Sequence, residues 1–322
     1  MNTKTLMIEK IALLLASITL VPLTHAATWP EKPVRVIIPW APGGSTDIVG
    51  RLVASELGNR LKQQVIIDNR SGAGGIVGMQ IASQSPPDGY TLLITSTAYG
   101  YLINKSSKVD LVTTFTPVVL LGLGDAALTV SPKLPVKSVK ELIALAKAKP
   151  GQLLYASSGI GGFPHMNTEL LNLKAGVKIT HVPFRGGGPA AADVMAGNTH
   201  IYLGSLTTVM SHIDAGRLKL LAVGGSKRNP QVPDVPTISE AVPDYESYIW
   251  WGLFAPTRTP AAVISRVHAE ISAALKSPEI LKKLDAQGAV PRHMSTAEFR
   301  DFMKAGTEKW SEVIKAAGIE EQ

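Results

Sequence analysis

The sequence predicts an α/β protein with two lobes around a cleft. Three observations carry this: strands alternate with amphipathic helices, two long apolar segments cross between halves, and one kind of glycine-rich turn follows a strand four times. The chain has 322 residues, 45% of them hydrophobic and 18% charged. That balance is globular, because a disordered chain combines low hydrophobicity with high charge. At this length a single core stops growing and a chain tends to divide.

The elements follow in order. Val34–Ile38 reads as a strand, and 46–61 has helical spacing through Ile48, Leu52, Leu57 and Leu61. Val65–Ile67 is a second strand, 75–84 a helix, and Tyr90–Thr95 a third strand. Val118–Val130 is a long apolar stretch suited to leaving one lobe for the other. A helix at 139–147, a strand at 153–156, a helix at 167–174, a strand at 179–182 and a helix at 190–196 build the second half. Strands at 200–203 and 218–223 follow, and Tyr248–Phe254 is a return crossing. The remainder, 261–275, 279–287, 296–304 and 309–317, is helical and amphipathic. Each lobe is therefore expected to hold a mixed, mostly parallel sheet flanked by helices.

The first residues read as an address. Lys4 and Lys10 precede an apolar run ending at Leu23, too short for a comfortable membrane span, and Thr24-His25-Ala26 supplies a small-residue cleavage site. The expectation is a signal peptide at 1–26, cut before Ala27. Removing Lys4, Lys10 and Glu9 takes one positive charge from the formal +7 and leaves +6. An exported chain without cysteine points to a bacterial periplasm, and lack of cysteine excludes disulfides, thiolate metal sites and thiol nucleophiles. The basic excess is small and scattered, which sets nucleic acid aside. The division expected is a first lobe of residues 27–124 and 250–322 and a second of residues 125–249.

The repeated turn carries the functional reading. Strand 34–38 leads to Pro42-Gly-Gly-Ser-Thr-Asp47, and strand 65–67 to Asn69-Arg-Ser-Gly-Ala-Gly-Gly75. In the second half, strand 153–156 leads to Ser157-Ser-Gly-Ile-Gly-Gly162, and strand 179–182 to Phe184-Arg-Gly-Gly-Gly-Pro189. Glycine lets backbone approach a ligand, and the first turn of a helix offers unpaired N–H donors with partial positive charge. Such ends hold anions without a charged side chain, in the crevice at the carboxyl ends of the strands. A single turn of this kind can serve chain reversal alone; four, two per lobe, point to an anion cleft. Trp40, Gly44, Ser45, Ser71, Ala73 and Gly74 are expected on the first wall, joined by Ser96 and Thr97 at the end of the third strand. Ser158, Gly159, Ile160, Gly187, Gly188 and Ser205 are expected on the second.

The strings Pro39-Trp-Ala-Pro-Gly-Gly-Ser-Thr-Asp47 and Asn69-Arg-Ser-Gly-Ala-Gly-Gly75 resemble the Bug (Bordetella uptake gene) receptors, extracytoplasmic solute receptors of tripartite tricarboxylate transporters. The likeness continues through Asp88-Gly-Tyr90, Ala156-Ser-Ser-Gly159, Pro164-His165, Pro183-Phe-Arg-Gly-Gly-Gly-Pro-Ala190, Met195-Ala-Gly197 and Gly252-Leu-Phe-Ala-Pro256. It runs in order through essentially the whole chain after the signal. The resemblance implies a type II periplasmic-binding-protein (Venus flytrap) fold closing on a small carboxylated solute, with di- and aromatic carboxylates among the candidates. It also implies mostly neutral contacts, some through water, and delivery to large and small membrane subunits. This chain departs from the family at Ile160, often polar there, at Gly162, near which Thr or Ser is usual, and at Gly204, near an acidic position. The departures imply a more apolar cleft base and no carboxylate for a ligand amino group.

Other chemistries each meet an ordinary explanation. Gly72-x-Gly74 is followed by Val77, with Gly78 one place late for a dinucleotide fingerprint, so no cofactor is expected. Ser45 and Ser158 could be pictured as nucleophiles, but turn hydroxyls usually cap helices or bind ligands. Six histidines follow the signal, at 165, 181, 200, 212, 268 and 293, none at metal-ligand spacing. His165 stands beside a ligand turn, either as a contact or as a hydrogen bond at a helix start. Arg70 and Arg185 each precede a glycine turn and serve either a ligand carboxylate or an ion pair. Asp47 in a first helical turn serves its own helix end and would repel an anion if aimed inward. Trp40, Phe163, Tyr99 and Phe184 flank the turns, as stacking surfaces or as packing. The expectation is a monomeric receptor and not an enzyme. The alternatives are a periplasmic sensor feeding a two-component kinase and, behind it, an enzyme on a similar scaffold, which would need acids, bases or arginines concentrated in the cleft.

Overall fold

The structure, a computed structural model, describes residues 29–97 and 107–319. The expected signal peptide (1–26) and Tyr99 lie outside the described residues. In the first lobe, β1 (Val34–Ile38), α1 (Ser45–Leu61), β2 (Val65–Asn69), α2 (Ile76–Ser83) and β3 (Thr91–Ser96) form two successive strand–helix units and a third strand. β1 lies between β2 and β3, parallel to both, with Ile38 level with Asn69 and Val36 with Leu92. Both ends of β1 are buried, and its apolar run suits a strand covered on two faces.

β4 (Phe115–Val130) then crosses the molecule. Its early residues pair antiparallel with β9 (Tyr248–Pro256), up to Asp125 beside Tyr248. From Ala126 it pairs antiparallel with β7 (Ile201–Ser205), and it also takes β8 (Lys219–Val223). Between β4 and β9 come α3 (Val139–Ala148), β5 (Leu154–Ser157), α4 (Phe163–Ala175), β6 (Thr180–Pro183), α5 (Gly187–Ala196), β7, α6 (Leu206–Asp214) and β8. α7 (Ala261–Ala274), α8 (Pro278–Asp285), β10 (Ala289–Val290) and α9 (Thr296–Ala316) complete the chain. The strand order is β2-β1-β3-β9-β4-β7-β5-β6, with β8 and β10 also on β4. Pairing is parallel within the outer strands of each lobe and antiparallel along the two crossing strands. The crossing strands were legible as apolar runs; their antiparallel pairing is the return of the chain.

Four differences from the sequence reading have local causes. α4 begins at Phe163 and α5 at Gly187, earlier than expected, because Pro164 and Pro189 fall in first turns, where a missing N–H removes no helical bond. α6 was not foreseen: Thr207, Thr208 and Val209 are β-branched and weak helix formers, yet Leu206 and Val209 are buried with Tyr202, Ala190 and Val194. The expected helices at 296–304 and 309–317 are one helix, α9. Gly306 inside it costs about 1 kcal/mol relative to alanine. Phe299, Met303 and Trp310 bury on one face, and a Ser295–Glu298 capping box starts the helix. Phe299 seats α9 on β9, with its ring 5.4 Å from Phe254 and edge-on to Trp250 at 5.8 Å. Among the described residues no helix is long and apolar enough to cross a membrane.

Candidate functional site

Each glycine turn stands at the carboxyl end of its strand and opens a helix or a short helical turn. In the first, Gly43 is left-handed (φ 84°) and its N–H donates to the Asp47 carboxylate at 3.1 Å. Asp47 also receives Arg51 at 2.9 Å and the Asn69 amide at 3.0 Å. Burial alone would raise this carboxyl, but the bonds from Arg51, Gly43 and Asn69 outweigh it and hold the pKa below its ordinary value. Asp47 is thus spent on its own turn. In the third turn, Ser157 Oγ receives the Gly159 N–H at 3.0 Å and contacts His181 Nε2 at 2.5 Å. His165 Nδ1 accepts the Gly161 N–H at 3.0 Å. The His165 and His181 rings stack at 4.2 Å, and Tyr155 lies on His181 at 4.9 Å while donating to Glu169 at 2.6 Å. Burial lowers His165 to about 4, and burial plus the neighbouring His165 lowers His181 to about 3. Both rings are neutral struts under the turn.

The four turns meet in pairs. The first faces the fourth: Ala41 N–H donates to the Arg185 carbonyl at 3.0 Å, and Gly44 and Gly188 approach the facing backbone. The second faces the third, with Gly74 against Gly159 and the Ile160 carbonyl. Close by, Ser45 N–H donates to Thr208 Oγ1 at 3.1 Å. The lobes are therefore in a closed arrangement, and these glycines serve lobe-to-lobe backbone contact.

Behind the first and fourth turns lies a small cavity of about 30 Å³. Of the expected site residues, Trp40, Gly44, Ser45, Ser96, Ser158, Gly187 and Ser205 line it. Thr46, Phe163, Pro164, Tyr202, Thr208 and Ile249 line it as well. Ser71, Ala73, Gly74, Thr97, Gly159, Ile160, His165 and Gly188 do not. Gly74, Gly159, Ile160 and Gly188 stand in the turn-to-turn contacts, and Thr97 Oγ1 is occupied by the Trp250 N–H at 3.0 Å. Ala73 is exposed and Ser71 half-buried. His165 is the structural hydrogen bond at a helix start, with its Nδ1 committed to Gly161. Among the other residues weighed, Arg70 pairs with Asp68 at 2.8 Å, Arg185 has an exposed side chain, and Phe184 packs on the second-lobe core.

The cavity is chemically simple. Its lining carries no charged side chain. Residues from the N-terminal ends of α1, α4, α5 and α6 border it, and the N-caps Gly44, Gly162, Gly186 and Ser205 make no side-chain cap bond. Two of the lining residues carry a buried polar atom with no hydrogen-bond partner among the described residues, Trp40 Nε1 and Ser205 Oγ. Leaving a buried donor unpaired costs about 1–3 kcal/mol, so both stand ready for a guest. Thr46 Oγ1 donates to Ser96 at 3.0 Å, and Trp251 Nε1 to Ser45 at 3.3 Å, which fixes those hydroxyls. Burial pushes the Tyr202 hydroxyl up despite its bond with Thr208, so it stays neutral. The Tyr202 ring fills the space beside Gly204, where a side chain would collide with it, and no acid stands there for an amino group. Ser158 Oγ likewise occupies the space beside Gly162. A wider cavity of about 420 Å³ at the strand crossing, between Asp125, Lys227, Tyr248 and Arg292, mixes both charge signs. Among the described residues no group of three or more His, Asp or Glu could hold a metal ion.

Sequence reasoning missed Thr208, Tyr202, Ile249 and Thr46. The first two belong to the unforeseen α6 and the strand before it, and Ile249 faces the cavity from the return crossing. A signal was present in Ser205-Leu-Thr-Thr208, a hydroxyl-rich start of a helix without glycine.

Two lobes joined by crossing strands, closed over an uncharged cavity ringed by helix starts, define a periplasmic solute-binding protein of the Venus flytrap type. The model of the tripartite tricarboxylate transporter family receptor matches residues 49–319, and the chain belongs to that family. Protein BugT of Bordetella pertussis (strain Tohama I) is 34% identical over 298 residues, covering 91% of each chain. The structure of R. palustris Rpa4515 with adipate superposes with a TM-score of 0.87 at 35% identity, covering 90% of this chain and 98% of that one. The periplasmic binding protein BugD superposes with a TM-score of 0.88 at 28% identity, covering 91% and 100%.

Proposed function

We propose that the protein captures a small carboxylate anion in the cavity behind the first and fourth turns and delivers it to the large and small membrane subunits of a tripartite transporter. One observation carries this: helix N-termini converge on an uncharged cavity whose lining residues Trp40 and Ser205 each bear an unpaired buried polar atom, Nε1 and Oγ. Backbone and indole donors favour an acceptor, and partial positive charge at helix starts favours an anion. The similarity to Rpa4515, whose structure holds adipate, supports a carboxylate as that anion. Three or four charge-assisted bonds at about 1.5–3 kcal/mol each, less ordering costs, suffice for micromolar binding, about 8 kcal/mol. The expected contacts are Trp40, Gly44, Ser45, Ser96, Ser158, Gly187 and Ser205, with Thr208 added. Ligand is held without chemistry, since the lining supplies no acid, base or charged group. Residues 27–124 with 250–322, and 125–249, move as lobes about the crossings of β4 and β9. The chain acts in the periplasm as a monomer after cleavage before Ala27, which N-terminal sequencing of a periplasmic extract checks.

A thermal-shift panel of mono-, di- and tricarboxylates, aromatic acids and amino acids tests the reading. A carboxylate at one hundred times its Kd adds about 2.7 kcal/mol, an easily read shift. Amino acids are expected to give none. Stabilisation by neutral solutes alone would refute carboxylate capture.

A further inference from the structure

Trp40 lines the cavity, is 5% exposed, and leaves its indole N–H unpaired among the described residues. It is held from the second glycine turn, which stays outside the cavity. Asn69, the last residue of β2, donates from Nδ2 to the Trp40 carbonyl at 2.9 Å and to Asp47 Oδ1 at 3.0 Å. Its Oδ1 accepts from Arg51 Nη2 at 3.0 Å. Asp47 in turn holds the Gly43 N–H, so a single carboxamide ties Trp40, the first turn and the start of the second together. The indole itself lies on Gly75: a β-carbon there would stand 3.0 Å from Cζ2 and Cη2 of the ring. Gly75 is left-handed at φ 97°, a conformation that favours glycine.

We infer that Asn69 is a positioning residue: by clamping the Trp40 backbone over Gly75 it aims the indole N–H as a ligand donor in the cavity. This rests on the carboxylate reading of that cavity. It gives the residue that opens the second turn a role at a distance, while Ser71, Ala73 and Gly74 lie off the cavity wall. Of the two Asn69 Nδ2 bonds, one reaches the Trp40 backbone and the other Asp47, and the Trp40 bond is the one the proposal uses.

The test uses Asn69→Ala, Asn69→Asp, Gly75→Ala and Trp40→Phe, alone and with Asn69→Ala combined with Trp40→Phe. In ligand-free ¹⁵N-labelled protein, the Trp40 indole resonance is identified by its loss in Trp40→Phe. It is expected to shift or broaden in both Asn69 variants and in Gly75→Ala while the Trp251 indole resonance stays in place. Asn69→Asp keeps an acceptor for Arg51 and loses the Nδ2 donor, so a wild-type indole resonance in it would overturn the proposal. Calorimetry with adipate is expected to show Asn69→Ala weakening binding about tenfold in the wild-type background, with no further loss in Trp40→Phe. Equal losses in both backgrounds would overturn it, because Asn69 would then act without Trp40. Gly75→Ala perturbs the indole without touching Asn69 and decides the matter should the Asn69 variants unfold: an unmoved Trp40 resonance there would overturn it. Full adipate affinity in Trp40→Phe would instead sink the cavity assignment, and absence of adipate binding by the wild type would remove adipate alone, with the ligand-free resonances still deciding the role of Asn69.

Discussion

The Ile160 carbonyl oxygen occupies the place where a β-carbon on Gly74 would stand. Gly74 is also left-handed, at φ 60°. The two residues belong to different lobes, and they meet because the second and third turns touch backbone to backbone. Glycine at this position is therefore required by closure.

Gly74→Ala should fold and fail to close. The left-handed conformation costs an alanine about 1–2 kcal/mol, which the lobe tolerates, while the methyl group holds the third turn away. Carboxylate affinity should fall more than about tenfold. Small-angle scattering with saturating carboxylate should show the variant wider than the wild type. A variant as compact as wild type, with unchanged affinity, would mean that this contact does not govern closure.

Ser205→Ala should move apo stability and ligand response in opposite directions. The hydroxyl is buried without a partner and, although Ser205 is the N-cap of α6, it makes no capping bond. Its removal relieves an unpaired polar group, so the apo melting temperature should hold or rise. The carboxylate-induced shift should shrink by about 1 kcal/mol or more. A destabilised apo protein with a full ligand shift would assign the hydroxyl to the fold.

The four strand–turn–helix units were legible because glycine clusters after apolar runs have few other physical uses. The convergence of Trp40, Ser45, Ser158, Gly187 and Ser205 followed from placing turns at strand ends. What the pattern could not separate is glycine that faces a guest from glycine that faces other backbone. Gly74 and Gly159 look the same in sequence as Gly187, which faces the Tyr202 and Thr208 side chains of the cavity, and only the tertiary pairing of the turns distinguishes them; Gly44 does both, lining the cavity and facing the Gly187 backbone. Thr208 and Tyr202 were hidden because core packing around Leu206 and Val209 overrides the weak helix propensity of the segment.

Acid should weaken the second lobe through its stacked histidines. His165 and His181, held near 4 and 3, stay neutral in the folded chain well below the ordinary 6.5. The unfolded chain takes up protons as pH falls through 6.5, and the folded chain does not. The contribution is thus present above pH 6.5 and lost as pH falls toward about 4, at up to about 1.4 kcal/mol per pH unit for each ring. Denaturant melts between pH 6.5 and 5, before most carboxylates titrate, should show this slope, and His165→Asn should flatten it. Equal slopes in both proteins would remove His165 as its source.

The most direct test of the central claim, that uncharged donors at helix starts hold the anion, is calorimetry of one carboxylate on wild type, Gly187→Asp and Arg185→Ala. Gly187 lines the cavity as the first residue of α5, where an aspartate favours the helix end by about 0.3–1 kcal/mol, but its β-carbon would stand 2.7 Å from the Tyr202 hydroxyl and must displace it, so circular dichroism and a thermal melt accompany the binding measurement. It would place its own carboxylate where the ligand's belongs, and binding should vanish with the circular dichroism spectrum unchanged. Arg185 has an exposed side chain and contributes its carbonyl to Ala41, so its alanine variant should lose less than about 1.5 kcal/mol. Several kcal/mol lost in Arg185→Ala with binding retained in Gly187→Asp would mean that a side-chain charge grips the ligand and would contradict the account.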